Sequence, residues 1–213
     1  MKKVIMCYIL PFLAVLGIVG LDQWVKQWTV ANLSVGERIP LIEGVFEYTF
    51  VKNEGMAWGL FQNMQWLFVV VTPIVLGIML YFYIVVPKEK RYIPALAAEI
   101  MLFGGAIGNL LDRMFRGEQF SQGYVVDMFY VKLIDFPVFN VADCFISISF
   151  IMLVILVLFI YKEDDFDKMF PWKKGKAVKK EGESDEVLSS GDTEAVSGNT
   201  DSTENGETSA MEE

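Results

Sequence analysis

Four long apolar stretches constrain this chain more than any other feature. They occupy residues 4–21, 66–86, 93–111 and 141–161, each 18 to 21 residues long. A helix of about 20 apolar residues crosses a hydrocarbon core of ~30 Å. Inside that core the backbone must satisfy its own hydrogen bonds, which leaves helices as the form for such segments. The expected fold is a mainly α membrane protein, a bundle of four transmembrane helices. The first stretch follows Lys2-Lys3, as a secretory leader would. Its length exceeds the usual leader core and no small-x-small cleavage pattern follows it, so a retained helix is expected.

Basic residues set the orientation. Lys2 and Lys3 precede the first stretch, and Lys88, Lys90 and Arg91 fill the short link between the second and third. Lys162, Lys168, Lys173, Lys174, Lys176, Lys179 and Lys180 follow the fourth, whereas loops 22–65 and 112–140 carry three bases each over longer lengths. The positive-inside rule places both termini in the cytoplasm and the two long loops outside. The net charge of −9 does not describe this body. Residues 181–213 hold 11 acids and no Lys or Arg, which leaves +2 for residues 1–180.

That composition also predicts the organisation. A membrane domain spans 1–172, and a basic, then acidic cytoplasmic tail spans 173–213. The tail beyond residue 180 has ten Ser/Thr and no aromatic residue, so it cannot bury a core and is expected to be disordered. Lys-rich 173–180 is suited to anionic lipid. Loop 22–65 is too long for a bare connector. Its segment 41–51 is rich in β-branched and aromatic residues and predicts one or two short strands. Segment 130–139 is similar but contains Pro137, which predicts an edge strand or extended loop.

The chain has no histidine. Ser-His-Asp and Cys-His nucleophile systems are therefore excluded, as is His-ligated metal. Cys7 and Cys144 lie in apolar runs and are expected to be small buried thiols. Neither a metal site nor a cofactor is implied, and nothing suggests nucleic acid. Catalysis, if present, falls to carboxylates, Lys, Tyr or hydroxyls.

Polar residues are costly in a membrane and so carry information. Asp22, Asp112 and Asp143 stand at the outer ends of the first, third and fourth stretches, and Asp127 lies in the loop between the last two. Asn53, Asn109 and Asn140 fall at similar depth. Several of these have plain structural explanations. Asp22 and Lys26 are spaced i, i+4 and make a helix-end ion pair. Asp112-Arg113 can end a span at the headgroups. Gly104 and Gly108 form a small-xxx-small pattern suited to close helix packing. Trp24, Trp28, Trp58 and Trp66 suit interfacial anchoring, and Glu99 is assigned no role. Asp127 and Asp143 are harder to explain away, because each interrupts an apolar run without a basic neighbour at i±3 or i±4. Two carboxylates brought close in a dry place share one proton. One then serves as base toward water and the other as acid, which is peptide hydrolysis without histidine or metal.

Five blocks carry a family resemblance. In order they are Asp22-Gln-Trp-Val-Lys26, Phe50-Val-Lys-Asn-Glu-Gly-Met-Ala-Trp-Gly59, Gly104-Gly-Ala-Ile-Gly-Asn-Leu-Leu-Asp-Arg113, Gly123-Tyr-Val-Val-Asp-Met-Phe129 and Phe139-Asn-Val-Ala-Asp143. Over residues 5–160 the chain resembles the lipoprotein signal peptidases (signal peptidase II), bacterial intramembrane aspartyl proteases of four spans. The resemblance implies that Asp127 and Asp143 are the catalytic pair. It also implies that Asn53, Gly55, Asn109, Arg113 and Asn140 position substrate or support the site, and that Asp22, Lys26 and Asp112 are structural support. A small extracytoplasmic β-sheet cradle goes with it. So does a substrate class, prolipoproteins whose lipobox cysteine carries diacylglycerol, cut just before that cysteine at the outer face of the cytoplasmic membrane. Membrane lipids are the other expected partners, and a monomer is the default state. The chain departs from the family pattern in about six extra residues near 118–123 and in its acidic tail. A carboxylate-bearing transporter would instead place acids near the bilayer midplane on broken helices. A purely structural assembly protein would use the glycines and not the acids.

Overall fold

The computed structural model describes residues 4–55 and 64–170. Trp58 and the whole of 173–213, including the tail, lie outside the described residues.

Four helices are long and apolar enough to cross a membrane. Helix α1 (Leu10–Asn32) is entered through a π turn at Ile5–Ile9. A hairpin follows, β1 (Arg38–Ile42) and β2 (Phe46–Asn53), turning through Gly44 at φ 71°. That left-handed conformation favours glycine. Helix α2 (Gln65–Val85) leads by a short connection to α3 (Ile93–Phe115). Then come β3 (Val125–Tyr130), α4 (Val141–Ile155) with a terminal π turn at Leu156–Ile160, and the short α5 (Glu163–Met169). The strands form one antiparallel sheet in the order β1-β2-β3.

Helix α3 is the hub of the bundle and packs on α1, α2 and α4. Its glycines make this possible. A Cβ on Gly104 would lie 2.5 Å from Ile18 of α1, and one on Gly105 would lie 2.6 Å from the Ala142 carbonyl of α4. A Cβ on Gly108 would lie 2.5 Å from an Asp22 carboxylate oxygen. The small-residue pattern thus brings three helices into near backbone contact. The outer faces stay apolar and exposed, for example Phe12, Leu13, Ile74, Ile78, Phe150 and Ile151, as a lipid-facing surface requires.

At the end away from the sheet, Tyr83, Val86, Tyr92, Leu96, Leu156, Tyr161 and Met169 form a compact apolar cluster. Arg91 donates to Asp165 there and ties α5 back to the α2–α3 connection.

Several expectations need correction. Helix α1 runs eleven residues past Leu21, so Asp22 and Lys26 lie within it and not in a loop. Helix α3 likewise passes Leu111 and ends at Phe115, which places Asp112 inside it. Hydropathy ends a span at its first charge, but a helix continues where partners neutralise that charge. The extended segment after α3 is 125–130 rather than 130–139. Past Tyr130 the chain makes a 3₁₀ turn at Lys132–Ile134 and a left-handed residue at Asp135, φ 49°. Only Phe139 pairs again, against Phe129. Cys7 and Cys144 are half-buried rather than buried. The segment 41–51 does fall on two short strands, as expected, at the end of β1 and in β2.

Candidate functional site

The sheet end of the bundle gathers nearly every polar residue singled out above. Asp127 lies on β3 opposite Val51 of β2, and Asn53 is two residues along on the same face. The Asn53 amide donates to Asp127 Oδ2 at 2.8 Å. Asp143 reaches the site by a different route. After the 3₁₀ turn, the Phe139–Phe129 bridge returns the chain beside β3. The next residue, Asn140, is the N-cap of α4. Its side chain accepts from the Asp143 N–H, and the Asp143 carboxylate accepts from the Asn140 N–H, a reciprocal capping box. This puts Asp143 in the first turn, where helix polarity favours negative charge.

Asn140 also links the two acids, since its Nδ2 donates to Asp127 Oδ1 at 2.6 Å. Asp127 and Asp143 line one cavity of about 610 Å³ with Asn53, Gly55 and Arg113. Burial pushes the Asp127 carboxyl from an ordinary 3.8 up to about 7, and the nearby Asp143 charge adds to the shift. The amides of Asn53 and Asn140 oppose it. Asp127 is 2% exposed, while Asp143 is half-buried and open to the cavity. Arg113 donates to the Gly55 carbonyl at 3.2 Å, and its guanidinium lies 4.6 Å from the Phe68 ring centre. It thereby fastens the end of β2 to α3 and α2.

Behind the cavity sits a buried charge cluster. Lys26 Nζ is 2.9 Å from Asp22 and 2.9 Å from Asp112, and all three side chains are fully buried. The i, i+4 pair exists, but inside the protein and shared with Asp112 of α3, not at a helix end. Asp112 is likewise committed inside the protein. It accepts from Lys26, from Arg116 Nε at 2.6 Å and from the Val126 N–H at 3.2 Å. Asp22 accepts from the Ala142 N–H at 2.9 Å. Each acid therefore grips the backbone next to one member of the carboxylate pair, Val126 beside Asp127 and Ala142 beside Asp143.

The cluster reaches the pair by side chains as well. Lys26 donates to Asn109 Oδ1 at 2.8 Å, as does Asn140 Nδ2 at 3.2 Å. With its oxygen so committed, the Asn109 amide nitrogen points to Asp143 Oδ1 at 2.8 Å. Gln23 and Arg116 belong to this network and were not anticipated. Gln23 donates to Asp22, Asp112 and the Gly108 carbonyl. Arg116 lies at i+4 from Asp112, a spacing that would have exposed it had α3 been extended past Leu111.

The loop at 117–123 folds back on the end of α3. The Gly123 N–H donates to the Arg113 carbonyl at 3.0 Å, and a Cβ there would run into the Asp112 carbonyl. The chain leaves α3 and returns to it before β3 begins, so added length stays in the excursion.

Fold and site together define a multi-pass membrane enzyme whose polar groups converge at one end of a four-helix bundle, under a three-stranded sheet. Residues 14–159 match the family model described as signal peptidase (SPase) II. A lipoprotein signal peptidase of Streptococcus thermophilus strain CNRZ 1066 is 40% identical over 152 residues, covering 71% of this chain and 92% of the relative. One from Lactococcus lactis subsp. cremoris strain MG1363 is 39% identical over 158 residues, covering 74% and 96%. A bacterial membrane enzyme solved by the in meso method at 2.3 Å superposes with a TM-score of 0.63 at 30% identity, over 73% of this chain and 93% of that one. The chain belongs to the signal peptidase II family of lipoprotein-processing aspartic peptidases.

Proposed function

We propose that the protein removes the signal peptide from diacylglyceryl-modified prolipoproteins, cutting just before the lipidated cysteine with Asp127 and Asp143 as its acid–base pair. The observation that carries this reading is the shared cavity, where two carboxylates are joined through Asn140 and only one is deeply buried. Asp127 holds the proton. Asp143, in the first turn of α4, takes a proton from water as the water oxygen bonds to the scissile carbonyl carbon. Asp127 gives its proton to the carbonyl oxygen. The tetrahedral diol collapses when Asp143 passes the proton it took from water to the amide nitrogen and Asp127 takes one back from a diol hydroxyl; the C–N bond breaks, one fragment leaving as an amine and the other as a carboxylic acid. Asn53, Asn109 and Asn140 hold the two carboxylates, and Arg113 with Gly55 forms the wall against which the peptide lies.

The test is a cleavage assay on a diacylglyceryl-modified precursor beside its unmodified form, across pH. The modified precursor should be cut much faster. The pair works with one proton, and Asp127 keeps that proton between its ordinary 3.8 and its raised value of about 7. Activity should therefore fall as pH rises through about 7, approaching tenfold per unit well above it. A rate still rising beyond pH 9, or equal cutting of both precursors, would sink the reading.

The orientation proposed is both termini in the cytoplasm and the sheet end outside the bacterial cytoplasmic membrane. It rests on the distribution of Lys and Arg. A cysteine placed at the exposed Leu133, in a background with Cys7 and Cys144 changed to Ser, should react with a membrane-impermeant maleimide on intact cells. Labelling only after lysis would reverse the topology.

A further inference from the structure

The catalytic cavity reaches beyond its two acids. Ser147, at i+4 from Asp143, lies on the same face of α4 one turn closer to the middle of the span, and it lines the cavity. It is exposed, and its hydroxyl makes no hydrogen bond among the described residues. A serine in a membrane helix ordinarily turns its hydroxyl onto a carbonyl of the preceding turn. Ser149 does so, donating to the Ile146 carbonyl at 2.8 Å. Ser147 leaves its hydroxyl uncommitted. The other lining residues on this stretch of α4, Cys144 and Ile148, offer a weakly bonding thiol and an alkyl group.

Resting on the proposed function, we infer that the Ser147 hydroxyl hydrogen-bonds a peptide group of the signal peptide just before the scissile bond, which makes Ser147 a substrate-contacting residue of the cleavage. The chemistry requires such a partner. In a helix the scissile carbonyl oxygen already accepts an N–H from the next turn, so it is not free to take the proton of Asp127. The end of the signal peptide must open before it is cut, and opening frees peptide groups in a layer where water does not satisfy them. Toward the sheet, the cavity offers Asn53, Gly55 and Arg113 to such groups. The signal peptide is the fragment that stays in the membrane, so it approaches Asp143 from the membrane side, past Ser147. There this hydroxyl is the strong hydrogen-bonding side chain that α4 presents to the cavity. The contact forms only once the helix end has opened, so its benefit falls on the barrier and not on initial binding. A signal peptide that stayed helical up to the cut would satisfy its own backbone and leave Ser147 idle.

The test uses the full-length protein in lipid nanodiscs with diacylglyceryl-modified precursors. In these, one amide is replaced by an ester at each of the three peptide bonds before the scissile one in turn. The ester removes the N–H and weakens the carbonyl as an acceptor. With the all-amide precursor, Ser147→Ala should lower kcat by about tenfold and change KM little. Ser147→Thr, which keeps the hydroxyl, should stay near the unaltered rate. Alanine is the best helix former, so α4 survives the change. At one of the three bonds the ester should cost the unaltered protein a similar factor and cost Ser147→Ala nothing more, a coupling that a merely structural serine cannot give. A Ser147→Ala protein with full kcat, or ester losses that multiply with the serine's at all three bonds, overturns the contact and leaves the peptidase reading intact. Failure of the unaltered protein to cut the all-amide precursor overturns both.

Discussion

Asp127→Asn and Asp143→Asn should each lower precursor cleavage by at least about a thousandfold, because each removes one half of a proton exchange that a single carboxylate cannot complete. The amide is nearly the same size, so packing at β3 and at the start of α4 survives. The chemistry does not. An asparagine at 143 cannot take a proton from water, and one at 127 has no carboxyl proton to give to the carbonyl oxygen. The double variant should be little slower than either single one, since the two groups act as a unit. Each substitution also replaces an acceptor oxygen by a donor. Asp127 accepts from Asn53 and Asn140, and Asp143 accepts from Asn109 and the Asn140 N–H. Thermal unfolding of the variants should therefore accompany the assay. A variant that stays folded and keeps more than about a tenth of the rate would remove its aspartate from the reaction.

The helices were legible in sequence because lipid demands long apolar runs, and the two acids because each breaks such a run. What sequence hid is how the polar groups neutralise one another. Lys26 lies within one helix, and two of its partners, Asn109 and Asp112, come from another more than eighty residues away. No local pattern announces such a meeting, so the first and third spans looked as though they ended at Leu21 and Leu111. The backbone donors at Val126 and Ala142 carry no side-chain signature at all. The strand carrying Asp127 was missed for a related reason. Its four consecutive buried residues, from Val125 to Met128, show no apolar–polar alternation, because one face meets the bundle and the other meets the site. The β-branched and aromatic residues of 130–139 drew the extended reading downstream, to a segment that in fact folds back to present Asn140.

The charge cluster behind the site is the second place where one atom group should matter greatly. Lys26→Met would leave Asp22 and Asp112 buried with their cation gone. Breaking a buried ion pair from one side costs about 3–5 kcal/mol, because the remaining charge keeps its desolvation penalty and loses its attraction. Asp112 would still have Arg116 and the Val126 N–H, but Asp22 would keep only Gln23 and the Ala142 N–H. The variant should unfold at a clearly lower temperature in detergent or nanodiscs. Adding Asp22→Asn should recover much of that loss, since it removes the charge that Lys26 had balanced. Recovery of activity should be poorer than recovery of stability. Without Lys26, the Asn109 oxygen loses one of its two donors, so the amide is freer to turn and stop donating to Asp143. A Lys26→Met protein as stable as the unaltered one would show that the cluster is not what holds α1, α3 and α4 together. A double variant that regains stability and full activity together would show that the lysine's contact with Asn109 does nothing for the pair.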